Sequence, residues 1–137
     1  MTVVLDTNVL VSGLLNPYGP PGQIVAMAAS GKLSLCFDAR ILGEYRAVLL
    51  RPKFGFRPNH VEVLLEQIQA VGESVAASPL PHPLPDRDDE AFLEVAIVAA
   101  AEYLVTGNLR HYPRRSRGAV QVVSPAEYLK IYRAMQA

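Results

Sequence analysis

The chain has 137 residues, enough for one domain with an ordinary hydrophobic core. Half of its residues are hydrophobic and 19% are charged, which excludes a disordered protein. Its 13 Lys and Arg residues balance 13 Asp and Glu residues, and this zero net charge argues against a strongly basic clamp for nucleic acid, although it leaves room for local basic patches.

The single cysteine, Cys36, has no partner for an internal disulfide and is expected to be a small buried apolar residue. The N-terminus shows no basic segment followed by an apolar one, so no signal peptide is predicted. The longest apolar run, at 95–101, is too short to cross a bilayer. We therefore expect a cytoplasmic protein that does not associate with membranes.

The first half of the chain predicts two short strands and three helices. Asp6, Thr7 and Asn8 end the first strand with small polar side chains, and a turn-rich loop follows at 16–22. Asp38 stands where the N-cap of a helix is expected. The elements are expected at 3–5 (strand), 24–30 (helix), 33–37 (strand), 38–50 (helix) and 59–71 (helix).

The second half predicts a minor strand, a Pro-rich connector, a long helix, two further strands and a terminal helix. These elements are expected at 74–77 (minor strand), 78–85 (Pro-rich loop), 86–101 (helix), 103–106 (strand), 120–123 (strand) and 125–135 (helix). Short apolar strands that alternate with helices indicate a parallel sheet covered on both faces. The predicted fold is a three-layer α/β/α arrangement with a mostly parallel central sheet, and residues 1–137 are expected to form this single domain.

The carboxylate of Asp6 comes directly after the first predicted strand. In an open parallel sheet, ligands bind beyond the carboxyl ends of the strands, and a carboxylate placed there favours a cation. The alternative is that Asp6 caps the helix that follows it. This segment alone leaves both interpretations open.

Glu44 lies on the flank of the apolar arc of the predicted 38–50 helix, beside Ile41 and Val48. A carboxylate in this position either faces a site at the edge of the sheet, or extends to solvent, or pairs with Arg40 one turn earlier.

Four acidic residues occupy five positions at the start of the predicted 86–101 helix: Asp86, Asp88, Asp89 and Glu90. The helix dipole stabilises acids in a first turn by roughly 0.3–1 kcal/mol each, which accounts for one or two of them. The others repel one another unless a cation is present.

Asn108 follows the predicted 103–106 strand and so repeats the position of Asp6, a polar residue just past a central strand. The alternative role is a turn residue in the left-handed conformation, which Asn adopts readily.

In their order and spacing, four segments resemble the PIN-domain ribonucleases, most of all the bacterial and archaeal branch related to the VapC toxins of toxin–antitoxin pairs. The segments are Asp6 to Ser12 (DTNVLVS), Glu44-Tyr45, Asp88 to Ala96 (DDEAFLEVA) and Val105 to Asn108 (VTGN). The resemblance covers about residues 2–113, and the predicted strand and helix at 120–135 complete the fold.

The resemblance implies a divalent-metal-dependent ribonuclease that hydrolyses phosphodiester bonds in RNA. It places Asp6, Glu44 and Asp89 as catalytic residues that hold Mg²⁺ or Mn²⁺, ions that prefer oxygen ligands. Asp88 is an alternative to its neighbour, and Asn108 stands where many PIN domains have a fourth acid, so it adds a ligand without a charge. The supporting polar residues are Thr7, Asn8, Ser12 and Thr106.

A basic segment at 109–117 begins next to this expected site. Its candidates for RNA binding are Arg110, His111, Arg114 and Arg115. Arginine is suited to bidentate phosphate contacts, and either His111 or Tyr112 is able to stack on a base. The alternative is an ordinary solvated loop.

The implied partners are an RNA substrate, a small antitoxin protein and a second copy of the chain in a homodimer. A receiver domain is disfavoured because Thr106-Gly107-Asn108 stands where that fold needs a lysine. A dehalogenase-type phosphatase is disfavoured because Asp6-Thr7-Asn8 lacks the second aspartate. The remaining alternative is a catalytically weak or inactive PIN-like interaction module.

Overall fold

The computed structural model describes residues 1–136 and contains a five-stranded sheet with helices packed on both faces. The strands are β1 (Thr2–Leu5), β2 (Ser34–Phe37), β3 (Glu73–Ser74), β4 (Tyr103–Val105) and β5 (Gln121–Val123). The helices are α1 (Thr7–Leu15), α2 (Pro20–Ala29), α3 (Ala39–Leu49), α4 (Pro58–Val71), α5 (Glu90–Val98) and α6 (Pro125–Gln136). No helix within residues 1–136 is long and apolar enough to span a membrane.

The sheet is parallel throughout, in the order β3-β2-β1-β4-β5. Val3, Val4 and Leu5 of the central strand β1 are each 0% exposed. Because successive side chains of a strand point to opposite faces, their complete burial shows that both faces are covered. The predicted three-layer α/β/α single domain is confirmed.

The order of the strands places the ends of β1 and β4 side by side. The chain moves from β1 to β2 on one side and returns to β4 on the other, so the topology reverses between β1 and β4. Leu5 pairs with Val105 at the end of the two strands, and the N–H of Asp6 donates to the Val105 carbonyl over 2.9 Å. Ligands of open α/β sheets bind in the crevice at such a reversal.

Two predicted helices differ from the structure near the N-terminus. No helix was predicted at 7–15, where α1 lies, and α2 begins at Pro20 rather than at 24. Tertiary packing explains the first difference: α1 buries Val9 and Leu10, and a Cβ added at Gly13 would lie 2.7 Å from the side chain of Val25 in α2. Proline at the first position of a helix explains the second.

The long helix predicted at 86–101 is also wrong in its bounds. Residues Arg87–Asp89 form a separate 3₁₀ turn, and α5 ends at Val98. Ala100 has a φ of 51°, and such a left-handed residue ends a helix even without glycine. The N-cap predicted at Asp38 is confirmed, since its side chain accepts a hydrogen bond of 3.0 Å from the N–H of Ile41.

Tyr45 fixes α3 against the end of β1. Its ring is 0% exposed, and its hydroxyl donates to the carbonyl oxygen of Leu5 over 2.5 Å. Glu44 is the neighbour of Tyr45 and Asp6 is the neighbour of Leu5, so this one hydrogen bond brings two predicted site residues to the same edge of the sheet.

We expect Tyr45→Phe to lower the free energy of unfolding by about 1–3 kcal/mol, because it leaves the buried carbonyl of Leu5 without a donor. The matched control is Tyr128→Phe. Tyr128 is equally buried, but its hydroxyl has no hydrogen-bond partner in the described residues, so its removal is expected to be neutral or stabilising. Urea unfolding of both variants is the measurement, and equal losses would show that the Tyr45 hydrogen bond contributes nothing specific.

Candidate active site

Asp6 is a buried carboxylate held by two hydroxyl groups. The residue is only 5% exposed, and its Oδ2 accepts hydrogen bonds from Thr106 Oγ1 at 2.9 Å and from the Tyr112 hydroxyl at 3.0 Å. Asp6 occupies the N-cap position of α1 but makes no capping hydrogen bond with its side chain. The capping interpretation is therefore wrong, and the carboxylate faces the end of β4.

Thr106 and Asn8 join the start of α1 to the loop after β4. Thr106 is 0% exposed, and its Oγ1 accepts a hydrogen bond of 3.0 Å from the backbone N–H of Asn108. The side-chain oxygen of Asn8 accepts from the N–H of Gly107 at 2.9 Å. These bonds hold the two segments that carry Asp6 and Asn108 in one fixed arrangement.

Glu44 is half-buried at the same edge and accepts a hydrogen bond from the hydroxyl of Thr7. Burial raises the pKa of the Glu44 carboxyl, the bond from Thr7 opposes this, and the charges of Asp6 and Asp88 raise it further. The alternative pairing with Arg40 is wrong, since that guanidinium binds Asp38 and Glu94 instead, at 2.8 and 2.7 Å.

Asp89 turns inward, whereas Asp88 lies on the surface. The carboxylate of Asp86 accepts from the N–H of Asp88 at 2.9 Å, which fixes the 3₁₀ turn so that Asp88 is exposed and Asp89 is only 7% exposed. Burial raises the pKa of the Asp89 carboxyl to about 6, the charge of Asp6 adds to this, and His111 opposes it. Asp6 thus raises the pKa of both Glu44 and Asp89, which indicates that these three acids share one electrostatic environment.

His111 lies against Asp89, although the sequence predicted it only as an RNA-binding residue. Its Nδ1 is 2.8 Å from Oδ2 of Asp89, and its Nε2 is 2.7 Å from the amide nitrogen of Asn108. Ligand atoms of Asp86, Asp89 and His111 lie within 4.8 Å of one another; among residues 1–136, Asp6 and Glu44 belong to no set as tight. A contact between segments this far apart in the chain leaves no local sequence signal.

The structure corrects two further expectations for the loop after β4. Asn108 has a φ of −136°, so it is not a left-handed turn residue. Tyr112 is 0% exposed and donates its hydroxyl to Asp6, so it is unable to stack on a base. The loop after β4 therefore contributes Tyr112 to the interior of the site, in addition to its basic surface.

The remaining candidates lie at the margin of the site. Ser12 is exposed and, together with Asn8 and Asn108, lines a neighbouring groove of about 570 Å³. Arg110, Arg114 and Arg115 are exposed and make no ion pair with any of the described residues. Arg117 has a structural role instead, because its Nε donates to the carbonyl of Tyr112 at 2.6 Å.

The residues present fit a divalent cation. The buried Oδ2 of Asp89 pairs with the imidazole of His111 at 2.8 Å and has no other hydrogen-bond partner in the described residues. The charges of Asp6 and Asp86 act against the ionised form of Asp89, and the one group in the described part of the chain that opposes them is an imidazole, which is charged only when protonated, so a cation is favoured here. Carboxylate oxygens are the ligands that Mg²⁺ and Mn²⁺ take in proteins.

We expect Asp89→Asn to stabilise the metal-free protein near neutral pH by up to about 3 kcal/mol, because the amide carries no charge to be buried. The pKa of Asp89 in the folded state, about 6, lies above its ordinary value of 3.8, so the carboxyl favours folding below the ordinary value and loses this contribution as the pH rises through about 6. The gain should therefore nearly vanish at about pH 4. Urea unfolding in chelator at both pH values is the test, with Asp88→Asn as the exposed control, and a gain independent of pH would contradict the assignment.

Comparison with known proteins agrees with this arrangement. A family model described as PIN domain matches residues 2–110. An uncharacterized protein of Methanocaldococcus jannaschii, MJ1680, is 30% identical over 109 residues, which cover 77% of this chain and 70% of that protein. The segment matched by the family model contains β1, α3 and β4 and every acidic residue of the site described above. The chain belongs to the PIN domain family.

Proposed function

We propose that this protein is a divalent-metal-dependent endoribonuclease that hydrolyses phosphodiester bonds in RNA with Mg²⁺ or Mn²⁺. PIN domains are generally nucleases that use divalent metals, and they bind RNA and often pair with antitoxins. The proposal extends to the finer role of toxin in a cytoplasmic toxin–antitoxin pair, acting as a homodimer held inactive by a small antitoxin.

The observation that carries the proposal is the electrostatic state of Asp89. Its carboxylate is buried near two other acids, its Oδ2 is paired only with His111 among the described residues, and its pKa is raised to about 6. The partners of a carboxylate that is kept only for stability usually lower its pKa. Strongly raised pKa values in a cleft are typical of functional sites.

Asp6, Glu44 and Asp89 are the residues that would hold the metal, with Asp88 and Asn108 at its margin. Once bound, a divalent ion supplies a Lewis acid for the phosphate oxygens and lowers the pKa of water. The chain itself provides orientation: Thr106 and Tyr112 fix one oxygen of Asp6, and Thr7 fixes Glu44. Carboxylates locked in this way lose little freedom when they bind a ligand.

The exposed arginines of the loop after β4 are proposed to contact the RNA backbone. Arg110, Arg114 and Arg115 belong to the segment whose Tyr112 reaches Asp6, so this loop connects the acidic site to a basic surface. Guanidinium groups without internal partners are available for phosphate. His111 faces Asp89 and is not needed for this contact.

A catalytically weak or inactive interaction module is the second candidate, favoured by the uncharged Asn108. The two candidates differ in their affinity for metal, because an active site binds Mn²⁺ and an inactive one has no need to. The toxin role is tested separately: the protein isolated from its own cells should bring with it a small protein that suppresses RNA cleavage.

We expect Asp6→Asn to abolish metal-dependent cleavage of RNA, with a loss of at least about 100-fold, because it removes a charge that the cation requires. The fold should be preserved, since an amide oxygen still accepts from Thr106 and Tyr112. The control is Glu102→Gln, an exposed acid at the opposite end of β4. Cleavage of a labelled RNA with Mn²⁺ is the measurement, and a rate equal to that of the parent would reject the metal-site interpretation.

Arg114→Ala combined with Arg115→Ala should weaken RNA binding and flatten its dependence on salt. For single-stranded RNA the slope of log K against log salt should become shallower by about 0.7 for each phosphate that is no longer neutralised. Lys130→Ala with Arg133→Ala, on the distal part of α6, provides a control of equal charge change. Binding is measured by fluorescence anisotropy in chelator, and an unchanged slope would return the loop to an ordinary solvated surface.

A further inference from the structure

We propose that His111 is a nitrogen ligand of the divalent cation at Asp89, that Asn108 positions its imidazole, and that the site consequently prefers Mn²⁺ to Mg²⁺. This inference rests on the proposed function in so far as it concerns the cation of the same site. It departs from the acidic ligand set implied by the family resemblance, because it adds a neutral nitrogen and the carboxylate of Asp86.

The first support is the distance between potential ligand atoms. Nδ1 of His111 lies 2.8 Å from Oδ2 of Asp89, and with Asp86 they form a set whose atoms lie within 4.8 Å of one another. Two adjacent ligands of an octahedral ion, each about 2.1 Å from the metal, are about 3 Å apart. The nitrogen and the oxygen are thus already spaced as neighbouring ligands of one ion.

An independent observation is the state of Asp89 itself. The residue is 7% exposed, and its Oδ2 lies 2.8 Å from Nδ1 of His111, with no other hydrogen-bond partner in the described residues. At this distance, one proton shared by the carboxylate and the ring accounts for the contact in the metal-free protein. Because carboxylate and imidazole bind a metal in their deprotonated forms, a divalent cation would take the place of this proton between the two atoms.

Asn108 provides the outer contact that a ligating histidine needs. Its side-chain nitrogen lies 2.7 Å from Nε2, an arrangement in which the proton of the ring is on Nδ1, and the amide makes no other hydrogen bond with the described residues. The oxygen and nitrogen of an amide exchange places by a half-turn, and with the oxygen toward the ring, Nε2–H donates to it. The lone pair then lies on Nδ1, facing Asp89, which is how metal-ligating histidines are usually held.

The preference for Mn²⁺ follows from ligand chemistry. Mg²⁺ takes oxygen ligands almost exclusively and keeps much of its water, whereas Mn²⁺ stands in the transition-metal series and accepts imidazole nitrogen. Asn108 adds no charge to attract a hard ion. A nitrogen donor therefore strengthens the binding of Mn²⁺ more than that of Mg²⁺.

The experiment measures metal binding in the whole protein without RNA. Mn²⁺ is titrated by electron paramagnetic resonance, Mg²⁺ by its competition with Mn²⁺, and pulsed spectra of bound Mn²⁺ are recorded for coupling to nitrogen. The parent should bind Mn²⁺ at least about tenfold more tightly than Mg²⁺ and show a directly coupled nitrogen. His111→Ala should remove that coupling and weaken Mn²⁺ binding by about 10–100-fold, with little change for Mg²⁺.

The other variants separate a ligand from a structural residue. Asn108→Ala should weaken Mn²⁺ binding by a smaller factor and keep the nitrogen coupling, as expected for a positioning residue. His82→Ala changes an exposed histidine of the Pro-rich loop and should leave both metals unaffected. His111→Gln, which retains a polar side chain of similar reach, serves where the alanine variant is poorly folded, and it too should lose the nitrogen coupling.

Two results would overturn the inference. Mn²⁺ bound without nitrogen coupling in the parent would exclude His111 as a ligand, and so would an unchanged Mn²⁺ affinity in a folded His111 variant. If the parent still cleaves RNA in a metal-dependent way, the proposed function survives this failure. If the parent binds neither metal and cleaves no RNA, both proposals are wrong.

Discussion

The site depends on a single buried carboxylate that is held by partners about a hundred residues away in the chain. Asp6 joins the ladder between β1 and β4 through its N–H, while its side chain accepts from Thr106 and Tyr112. Without the parallel pairing of β1 with β4, no donor would reach this carboxylate, and its burial would cost several kcal/mol. The reversal of the sheet topology, which places β1 beside β4, therefore also allows the charged side chain of Asp6 to be buried.

The same arrangement places an electrostatic cost on the folded protein. The charge of Asp6 raises the pKa of Glu44 and of Asp89, so ionised Asp6 disfavours the ionised forms of both neighbours. Burial of the apolar core offsets this unfavourable free energy. Val3, Val4 and Leu5 of β1 are fully buried, and Tyr45 fixes α3 to the end of this strand. The buried apolar sheet stabilises the fold. A cation binds most favourably at the polar edge, where the negative charges are concentrated.

The sequence was informative where the signal is local. Apolar strands alternating with helices predicted the parallel sheet, and polar residues after two of those strands predicted its acidic edge. The helix at 7–15 was missed because its start, Thr7 and Asn8, favours turns, and only packing against α2 makes it helical. Tyr112 and His111 were placed on the surface because their bonds with Asp6 and Asp89 join distant segments, which no periodicity encodes.

The uncharged Asn108 has a physical consequence for the balance between charge and coordination. A fourth acid beside Asp6 would add to the repulsion among the existing carboxylates and destabilise the metal-free protein. In the role proposed for it, the imidazole of His111 supplies a ligand without adding a charge, and the amide that replaces the acid holds this ring. The electrostatic attraction of the site for cations would then be weaker. Its discrimination between metal ions would depend more on whether its ligand atoms are oxygen or nitrogen. Asn108, an amide where many PIN domains have a fourth acid, would thus both lower the negative charge of the site and make its ligand set more selective.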